Sequence, residues 1–455
     1  MTDGDDMKGH KSMAARRVGS LALACNVACG TDWRERFMMR HAVLFFVVLF
    51  VSCNDTVFSP SPWTFGESGS RGIEDEPDAS CAEFFRVDDR TSLFGFLDPV
   101  VTNDRVFLSD YPPGEDDLDV VEWNGQQPVT VHRRAGHEWP IDGERGTLWA
   151  ADWDDFLKVT LDSGEAAFEV ALPAAHPAKD WLFAQPRRYS NGEHFAWADL
   201  GTLTLVVDGL GVLQYEGAER DLWVGDHGTA WVSLGDATRT VHFTDFTGRD
   251  RMISGEDYLG YPVTLGDKVV FVADGRILAW DVASGHIQSV LEGLACGPLH
   301  SDGTNAVAAC RGEGPGAPQT RTGYLHMEAT DVWTIDESLA AARVYRADGS
   351  QVFAPMINDR WLAWVEYDPT AVDLAPPTTG RVMAASREEG GAPAEVARVL
   401  RGCEPCERWM PPTLDLGGDT LAFGSAVRPD QSPDETGSNH AQVGVVRLGN
   451  CDFGD

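Results

Sequence analysis

The sequence predicts an all-β domain, and its composition and repeats carry the prediction. Trp and Gly are abundant, at 15 and 47 of 455 residues, while hydrophobic residues make up 43% and charged residues 24% of the chain. This composition is typical of a globular protein rather than a disordered one. After residue 81, tight turns followed by short apolar strands return about every 40 residues, a period that indicates a β-propeller. We therefore predict a single β-propeller of four-stranded blades.

The blades are defined by two interleaved series of turns. Turns of the first series precede an apolar strand and are Asn103-Asp104, Arg145-Gly146, Asn191-Gly192, His227-Gly228, Gly266-Asp267, Asp302-Gly303, Asn358-Asp359 and Gly418-Asp419. A second series, in which a small polar residue precedes Gly, lies between most of them, as at Ser284-Gly285. Such dipeptides supply the positive φ that two-residue hairpin turns need. The two series predict eight blades, with seven as the alternative if the first or last unit is incomplete.

The clearest unit is residues 262–293, which read as four strands and three turns. This unit resembles the blades of TolB-like and quinoprotein-like (PQQ-type) propellers, in which a D-x-x-[ST]-G turn links the outer two strands. Residues 281–285, Asp-Val-Ala-Ser-Gly, match that turn. The resemblance extends over residues 82–450 and implies the fold, but it implies no activity. Tryptophans of the apolar strands are expected to pack between blades; they include Trp149, Trp197, Trp231 and Trp364.

The last unit, residues 411–450, supplies three strands instead of four. Residues 82–87 precede the first unit and are predicted to provide the missing outer strand. This arrangement would close the propeller and place both ends of the domain side by side. Cys81 and Cys451 flank these two strands, so we predict a disulfide bond across the seam.

Six cysteines fall within the predicted domain, and an even number favours disulfide bonds in an oxidising compartment. Cys296 and Cys310 lie in the first two strands of the sixth unit and are predicted to bridge within it. Cys403 and Cys406 form a lone CxxC, for which a local disulfide is favoured over a redox or metal site. Spacing alone does not choose among the pairings of six cysteines.

The amino-terminal region resembles the signal of a bacterial lipoprotein. Residues 42–51 form an apolar run that suits an export signal, whereas a membrane-spanning helix needs about 20 residues. Ser52-Cys53 matches the lipobox, in which the cysteine is acylated, although Phe50 stands where that family usually has Leu. The resemblance implies a lipid anchor on Cys53, with a non-lipidated secreted protein as the alternative. We expect an over-extended start or leader at 1–37, a signal peptide at 38–52, an anchor and flexible tether at 53–80, and the propeller at 81–455.

Acidic residues outnumber basic ones by 71 to 36, which gives a formal net charge of -35. This charge disfavours binding to nucleic acid or to an anionic lipid surface, since both carry the same sign. The export signal predicts a protein of the cell envelope that is attached to the membrane only through its lipid, and we expect it to be a monomer.

The sequence contains no motif that indicates catalysis or cofactor binding. The G-x-S-x-G, H-E-x-x-H, Walker and G-x-G-x-x-G patterns are all absent. Acidic clusters at 115–119 and 152–155 offer oxygen ligands to calcium, but they lack EF-hand spacing and are interpreted as solvated loops. We therefore predict no catalytic residue and no cofactor, with calcium at these clusters as the alternative.

Four units carry extra length between their second and third strands, at residues 110–119, 311–340, 366–380 and 427–440. In a propeller these connections emerge on one face, and long loops on a rigid scaffold often bind partners. The predicted partner-face residues are Tyr111, Asp116, Asp117, Tyr324, Trp333, Tyr367 and Asp368.

These features predict a non-catalytic binding or scaffolding module of the cell envelope, whose partner is an envelope protein or a glycan. The alternative is a secreted propeller hydrolase or lyase that acts on polysaccharide, with its site in the central funnel. A quinone-cofactor enzyme ranks third, because no further cofactor motif is visible.

Overall fold

The structure is a computed structural model, and it describes most of the predicted domain. The described residues are 82–88, 99–110, 119–125, 128–132, 139–151, 156–161, 188–199, 201–208, 210–235, 238–255, 259–274, 276–311, 329–367, 379–388, 391–400, 414–426, 440–451 and 453. The chain divides into two units, Met1–Gly72 and Ile73–Asp455, and every described residue lies in the second. Among these residues, no helix has the length and apolar character needed to cross a membrane.

The described residues form β-strands joined by turns, with one short 3-10 helix at Leu448–Asn450. In chain order the strands are β1 (Ala82–Asp88), β2 (Val100–Thr102), β3 (Arg105–Asp110), β4 (Asp119–Trp123), β5 (Pro128–His132), β6 (Trp139–Glu144), β7 (Thr147–Ala151), β8 (Phe156–Thr160), β9 (Phe195–Asp199), β10 (Gly201–Val207), β11 (Gly211–Val224), β12 (Gly228–Leu234), β13 (Arg239–Asp245), β14 (Asp250–Gly255), β15 (Leu259–Leu265), β16 (Lys268–Ala273), β17 (Arg276–Asp281), β18 (Ile287–Leu291), β19 (Ala295–Ser301), β20 (Asn305–Arg311), β21 (Asp331–Asp336), β22 (Ala341–Arg346), β23 (Gln351–Ile357), β24 (Trp361–Tyr367), β25 (Thr379–Ser386), β26 (Ala394–Leu400), β27 (Leu414–Gly417), β28 (Thr420–Ala426) and β29 (His440–Arg447). The chain is therefore all-β, as the sequence predicts.

Consecutive strands pair antiparallel, so each sheet is a meander. The four-stranded sheets are β2-β3-β4-β5, β15-β16-β17-β18, β19-β20-β21-β22 and β23-β24-β25-β26, and β6-β7-β8 form a three-stranded sheet. The remaining four-stranded sheet has the order β1-β29-β28-β27, with Ala82 opposite Val446 and Asp88 opposite His440. The amino-terminal strand is thus the outer strand of the carboxy-terminal sheet. Successive small antiparallel sheets of this kind are the architecture of a β-propeller.

Strand β11 departs from the predicted pattern because it belongs to two units at once. Its first half pairs with β10 and its last residues pair with β12, with a bulge between Ala218 and Leu222. The result is one six-stranded sheet, β9 to β14, in place of two separate sheets. A bulge bends its strand and increases the local twist, which allows one strand to pass from one unit to the next.

The predicted D-x-x-[ST]-G turn joins β17 to β18, the outer two strands of their sheet. The backbone N–H of Ser284 donates to the carboxylate of Asp281 over 2.7 Å, and the N–H of Gly285 donates to the Asp281 carbonyl over 2.9 Å. Gly285 has a φ of 75°, a region that glycine enters without steric cost. Gly-containing turns therefore act here as the sequence predicts.

The first strands of neighbouring sheets pack against one another with little space between them. A Cβ atom on Gly225, the residue after β11, would collide with the Thr264 Oγ1 of β15. The carboxylate of Asp415 on β27 accepts the backbone N–H of Val101 on β2 over 2.7 Å. Sheets that are distant in sequence are therefore joined through these first strands, which we call the inner strands.

The core lies between the sheets and is built largely from aromatic and β-branched side chains. The predicted core tryptophans, Trp149, Trp197, Trp231 and Trp364, are between 0% and 4% exposed. Trp149 of β7 stacks on Phe195 of β9 with ring centroids 4.6 Å apart. Stacked aromatic pairs add about 1 kcal/mol to the hydrophobic gain from burying their area.

The second and third strands of four sheets are separated by long connections, as predicted. Most of each connection lies outside the described residues, at 111–118, 312–328, 368–378 and 427–439. The predicted insertion 311–340 is too long, because β21 lies within it and pairs with β20 and β22. Cys296 and Cys310 face each other on β19 and β20 with sulphur atoms 2.15 Å apart, which agrees with the predicted bridge within this unit. Cys81, Cys403 and Cys406 lie outside the described residues.

Candidate active site

Most of the predicted partner face lies outside the described residues, and so do both acidic clusters apart from Asp119, the first residue of β4. The partner-face residues outside the described part of the chain are Tyr111, Asp116, Asp117, Tyr324 and Asp368. Trp333 lies in β21 rather than in a loop, and its half-buried indole packs against a buried apolar cluster. Tyr367 is the last residue of β24.

A chain of hydrogen bonds on the sheet β12-β13-β14 joins a serine, a histidine and an aspartate. The Oγ of Ser233 lies 2.8 Å from the Nε2 of His242, and the Nδ1 of His242 lies 2.9 Å from an oxygen of Asp250. The other oxygen of Asp250 accepts the hydroxyl of Thr244 over 3.0 Å. The indole N–H of Trp231 donates to that threonine Oγ1, also over 3.0 Å. We call Ser233, His242 and Asp250 the serine relay.

The direction of every hydrogen bond in the relay follows from the donors present. An ionised carboxylate only accepts, so Nδ1 of His242 carries the proton and donates it to Asp250. In the neutral imidazole the other nitrogen is then an acceptor. The hydroxyl of Ser233 therefore donates to Nε2 of His242. In the catalytic triad of serine hydrolases, the serine likewise donates to the histidine and the histidine to the aspartate.

The strands place these side chains on one face because successive strand residues point to opposite faces. Trp231 and Ser233 are two residues apart on β12 and therefore share a face. His242 and Thr244 share a face of β13 in the same way. The register sets Trp231 opposite His242 and Thr244 opposite Asp250. The indole of Trp231 stacks on the imidazole with centroids 3.9 Å apart and 13° between the rings, so the ring of His242 is held on both an edge and a face.

The relay is partly exposed, and Ser233 itself is half-buried. The side chains of His242 and Asp250 are 10% and 27% exposed, and the neighbouring Met252 is 65% exposed. Gly217 lies near the end of the part of β11 that pairs with β10. It has no side chain to cover Ser233, and a Cβ atom there would lie 3.7 Å from the Cβ of that serine. Ser233 thus lies at the bulge where the pairing of β11 with β12 is interrupted.

Sequence reasoning missed the relay because its members follow no catalytic motif. They lie on three strands, and the register between those strands decides which residues meet. The available signal was polar alternation within apolar strands, as in Trp231-x-Ser233 and His242-x-Thr244. A buried polar side chain on such a face needs a partner.

A second polar cluster lies on β6, β11 and β19 and on the segment that precedes β9. We call Glu144, Arg188, Trp223 and His300 the inner-strand cluster. Arg188 Nη2 lies 3.1 Å from a Glu144 oxygen, and Arg188 and Trp223 form a parallel β-bridge. The ring of Trp223 meets that of His300 edge-on, with centroids 4.9 Å apart.

Burial and charge shift two pKa values around this cluster. Burial lowers the pKa of His300 to about 3, with a further contribution from the positive charge of Arg188. Burial also raises the pKa of Asp142 to about 6, against the effect of Arg188. His300 is therefore neutral at physiological pH. Among the described residues, no group of three or more His, Cys, Asp or Glu side chains is arranged to hold a metal ion.

No protein-family model matches the chain, and no match is found among characterised protein sequences. Similar solved structures include the tricorn protease, with a TM-score of 0.34 and 11% identity over 73% of this chain and 36% of that one. An acylaminoacyl peptidase of Pyrococcus horikoshii has a TM-score of 0.42 and 12% identity over 76% of this chain and 52% of that one. A TolB of Agrobacterium tumefaciens has a TM-score of 0.34 and 12% identity over 70% and 93%. The chain thus spans about a third and about half of the two peptidase chains.

The prediction of a non-catalytic binding or scaffolding module is corrected by this comparison, in which a protease and a peptidase are among the similar structures. At these identities and TM-scores the likeness concerns the fold alone. An activity has to be argued from the chain's own residues.

Proposed function

We propose that the chain is a serine hydrolase of the peptidase type, with Ser233 as nucleophile. The observation that carries the proposal is the serine relay, in which Ser233, His242 and Asp250 are joined by contacts of 2.8 and 2.9 Å. A serine hydroxyl is a weak nucleophile unless an adjacent base takes its proton. In this relay the base is in place and a carboxylate orients it.

The reaction follows from these roles. Ser233 Oγ attacks the carbonyl carbon of the substrate while its proton passes to Nε2 of His242. The tetrahedral intermediate collapses to an acyl-serine, and the leaving amine or alkoxide takes the proton from His242. Water then attacks the acyl group, gives its proton to His242, and releases the acid as the proton returns to Ser233. Asp250 stays ionised and stabilises the imidazolium.

Thr244 and Trp231 act as positioning residues for this relay. The hydroxyl of Thr244 holds one oxygen of Asp250, which leaves the other oxygen directed at His242. The stacked indole of Trp231 faces the imidazole at 3.9 Å. An aromatic face attracts a cation, so it favours the imidazolium that forms when Ser233 attacks.

Labelling with a fluorophosphonate probe tests the proposal, because the probe phosphonylates an activated serine whatever the natural substrate. We expect the label on the peptide that contains Ser233, and we expect it to be lost in Ser233→Ala and His242→Ala. The matched control is Ser254→Ala, on the same face, whose hydroxyl pairs with that of Thr240 over 2.8 Å outside the relay. Unchanged labelling in a folded Ser233→Ala variant would refute the proposal.

The substrate class is tested next with N-acylated peptide anilides and p-nitrophenyl esters. Peptides are the first choice because two similar structures are named as a protease and a peptidase, and this extension is part of the proposal. Ester hydrolysis without anilide hydrolysis would keep the nucleophile and exclude the peptidase class.

We also propose that the sheets form eight blades in one closed ring. The six-stranded sheet counts as two blades under this proposal. Three observations support closure: the pairing of β1 with β29, the contact of Asp415 with Val101, and the disulfide-bonded state of Cys451. Cys81 is the partner that we propose for Cys451. Mass spectrometry that finds Cys451 as a free thiol in exported protein would contradict the seam bond.

Export and lipidation at Cys53 stay proposals of their own, and they would place the hydrolase in the cell envelope. Incorporation of labelled palmitate into the full chain, and its loss in Cys53→Ala, is the expected result. The predicted envelope partner, whether protein or glycan, and the monomeric state stay predictions.

A further inference from the structure

We propose that the inner-strand cluster binds the carboxylate group of a ligand, with Arg188, His300 and Trp223 as the donors. The cluster shares no residue with the serine relay, so this proposal is independent of the proposed hydrolase activity. It names a second site, at the inner strands rather than on the sheet β12-β13-β14.

The first step of the argument concerns the donors that the cluster brings together. The guanidinium of Arg188 has five N–H groups, of which Nε reaches the Ser190 carbonyl at 3.2 Å and Nη2 reaches Glu144 at 3.1 Å. The indole N–H of Trp223 is buried and has no hydrogen-bond partner in the described part of the chain. Other buried indoles, such as that of Trp280, share this property. Trp223 is the one of this pair that lies beside an arginine and a histidine, since it forms a β-bridge with Arg188 and a ring contact with His300. An N–H group in such surroundings is suited to an acceptor that a ligand provides.

The second step concerns His300, whose protonation state makes it a donor. Its Nδ1 accepts the backbone N–H of Ile357 over 3.2 Å, so the proton of the neutral ring is on Nε2. Burial, together with the charge of Arg188, keeps the pKa of this histidine far below its usual value. His300 therefore presents an N–H at physiological pH beside the indole of Trp223.

The third step identifies the ligand group. One arginine fork flanked by neutral N–H donors matches a carboxylate, which accepts two parallel hydrogen bonds from a guanidinium. A phosphate dianion would need more positive charge than the single Arg188 provides. Glu144 already contacts this guanidinium through one oxygen, 3.1 Å from Nη2, and its side chain is 38% exposed. We infer that Glu144 occupies Arg188 in the free protein and moves towards solvent when a ligand carboxylate replaces it.

Isothermal titration calorimetry on the full chain tests the site with N-acetyl-Ala-Ala-Ala, its carboxamide and inorganic phosphate. We use the Ser233→Ala background, so that turnover does not disturb the titration. The free acid should bind, and the carboxamide and phosphate should bind at least about tenfold more weakly, because neither offers a planar monoanion to the fork. Acetate as a competitor separates a small organic acid from a peptide terminus as the source of the carboxylate.

Two variants of the cluster are expected to act in opposite directions. Glu144→Gln removes the internal competitor and should tighten binding of the free acid severalfold, whereas Arg188→Lys loses the fork and should weaken it about tenfold. Asp226→Asn is the matched control, since Asp226 pairs with Arg145 over 2.6 Å outside the cluster. Equal binding of acid and amide, binding of neither, or weaker binding by a folded Glu144→Gln variant would overturn the proposal. None of these outcomes bears on fluorophosphonate labelling of Ser233.

Discussion

Replacing Asp250 by Asn would remove one charge from the serine relay while keeping the shape of the side chain. In the native protein both carboxylate oxygens accept: one from Nδ1 of His242 at 2.9 Å and the other from the hydroxyl of Thr244 at 3.0 Å. Asparagine offers one carbonyl oxygen and one NH2 group, so it cannot accept from both. With the NH2 group facing His242, the imidazole adopts the other tautomer and its Nε2 no longer accepts from Ser233.

The size of the effect follows from this geometry. In a serine protease triad the corresponding change lowers kcat by about 10⁴-fold. Asp250 is 27% exposed, and exposure to water screens its charge, so we expect a fall of about 10² to 10⁴-fold in the labelling rate. The stability loss should be about 1.5–3 kcal/mol, the usual range for a hydrogen bond to a charged group.

The assay is the second-order rate constant for fluorophosphonate labelling, measured with circular dichroism as the check on folding. Ser254→Ala serves again as the control on the same face. A folded Asp250→Asn protein that labels within threefold of the wild-type rate would refute the relay as the source of reactivity, because the histidine would then be the wrong tautomer to act as a base.

Four further predictions concern stability. The pKa of His300 falls from 6.5 to about 3 on folding, so the folded state binds fewer protons in this pH range. The free energy of unfolding should therefore drop by about 1.4 kcal/mol per pH unit as pH falls from 6.5 towards 3. His300→Gln should flatten that slope in urea titrations. Asp142 acts in the opposite sense: its pKa rises from 3.8 to about 6, so its contribution falls as pH rises through this window, and Asp142→Asn should remove that component. Cys296→Ala opens a bridge of 14 residues' separation and should cost about 3 kcal/mol in the oxidised protein. This difference between wild type and variant should disappear when both are measured in dithiothreitol. Gly225→Ala places a Cβ against Thr264 Oγ1 and should cost about 2–3 kcal/mol; an unchanged denaturation midpoint would show that the inner strands separate more easily than described.

Local patterns were sufficient to predict the strands and many of their turns. The Asp281 turn is formed by hydrogen bonds between residues three and four positions apart, so its geometry is encoded within one short segment. The buried tryptophans follow in the same way from apolar strands that have to be covered on both faces. The pairing of Cys296 with Cys310 was accessible because both lie on adjacent strands of one unit.

The sequence by itself therefore determined the all-β character, the repeated meander and the partners that lie close along the chain. Only the tertiary structure decided that β11 serves two units, that Ser233 meets His242, and that Arg188 lies beside Glu144. The physical reason is that alternation assigns a side chain to a face, while strand register, bulges and packing between sheets decide which side chains on that face touch. Both candidate sites depend on such contacts between strands, and no short motif encodes them.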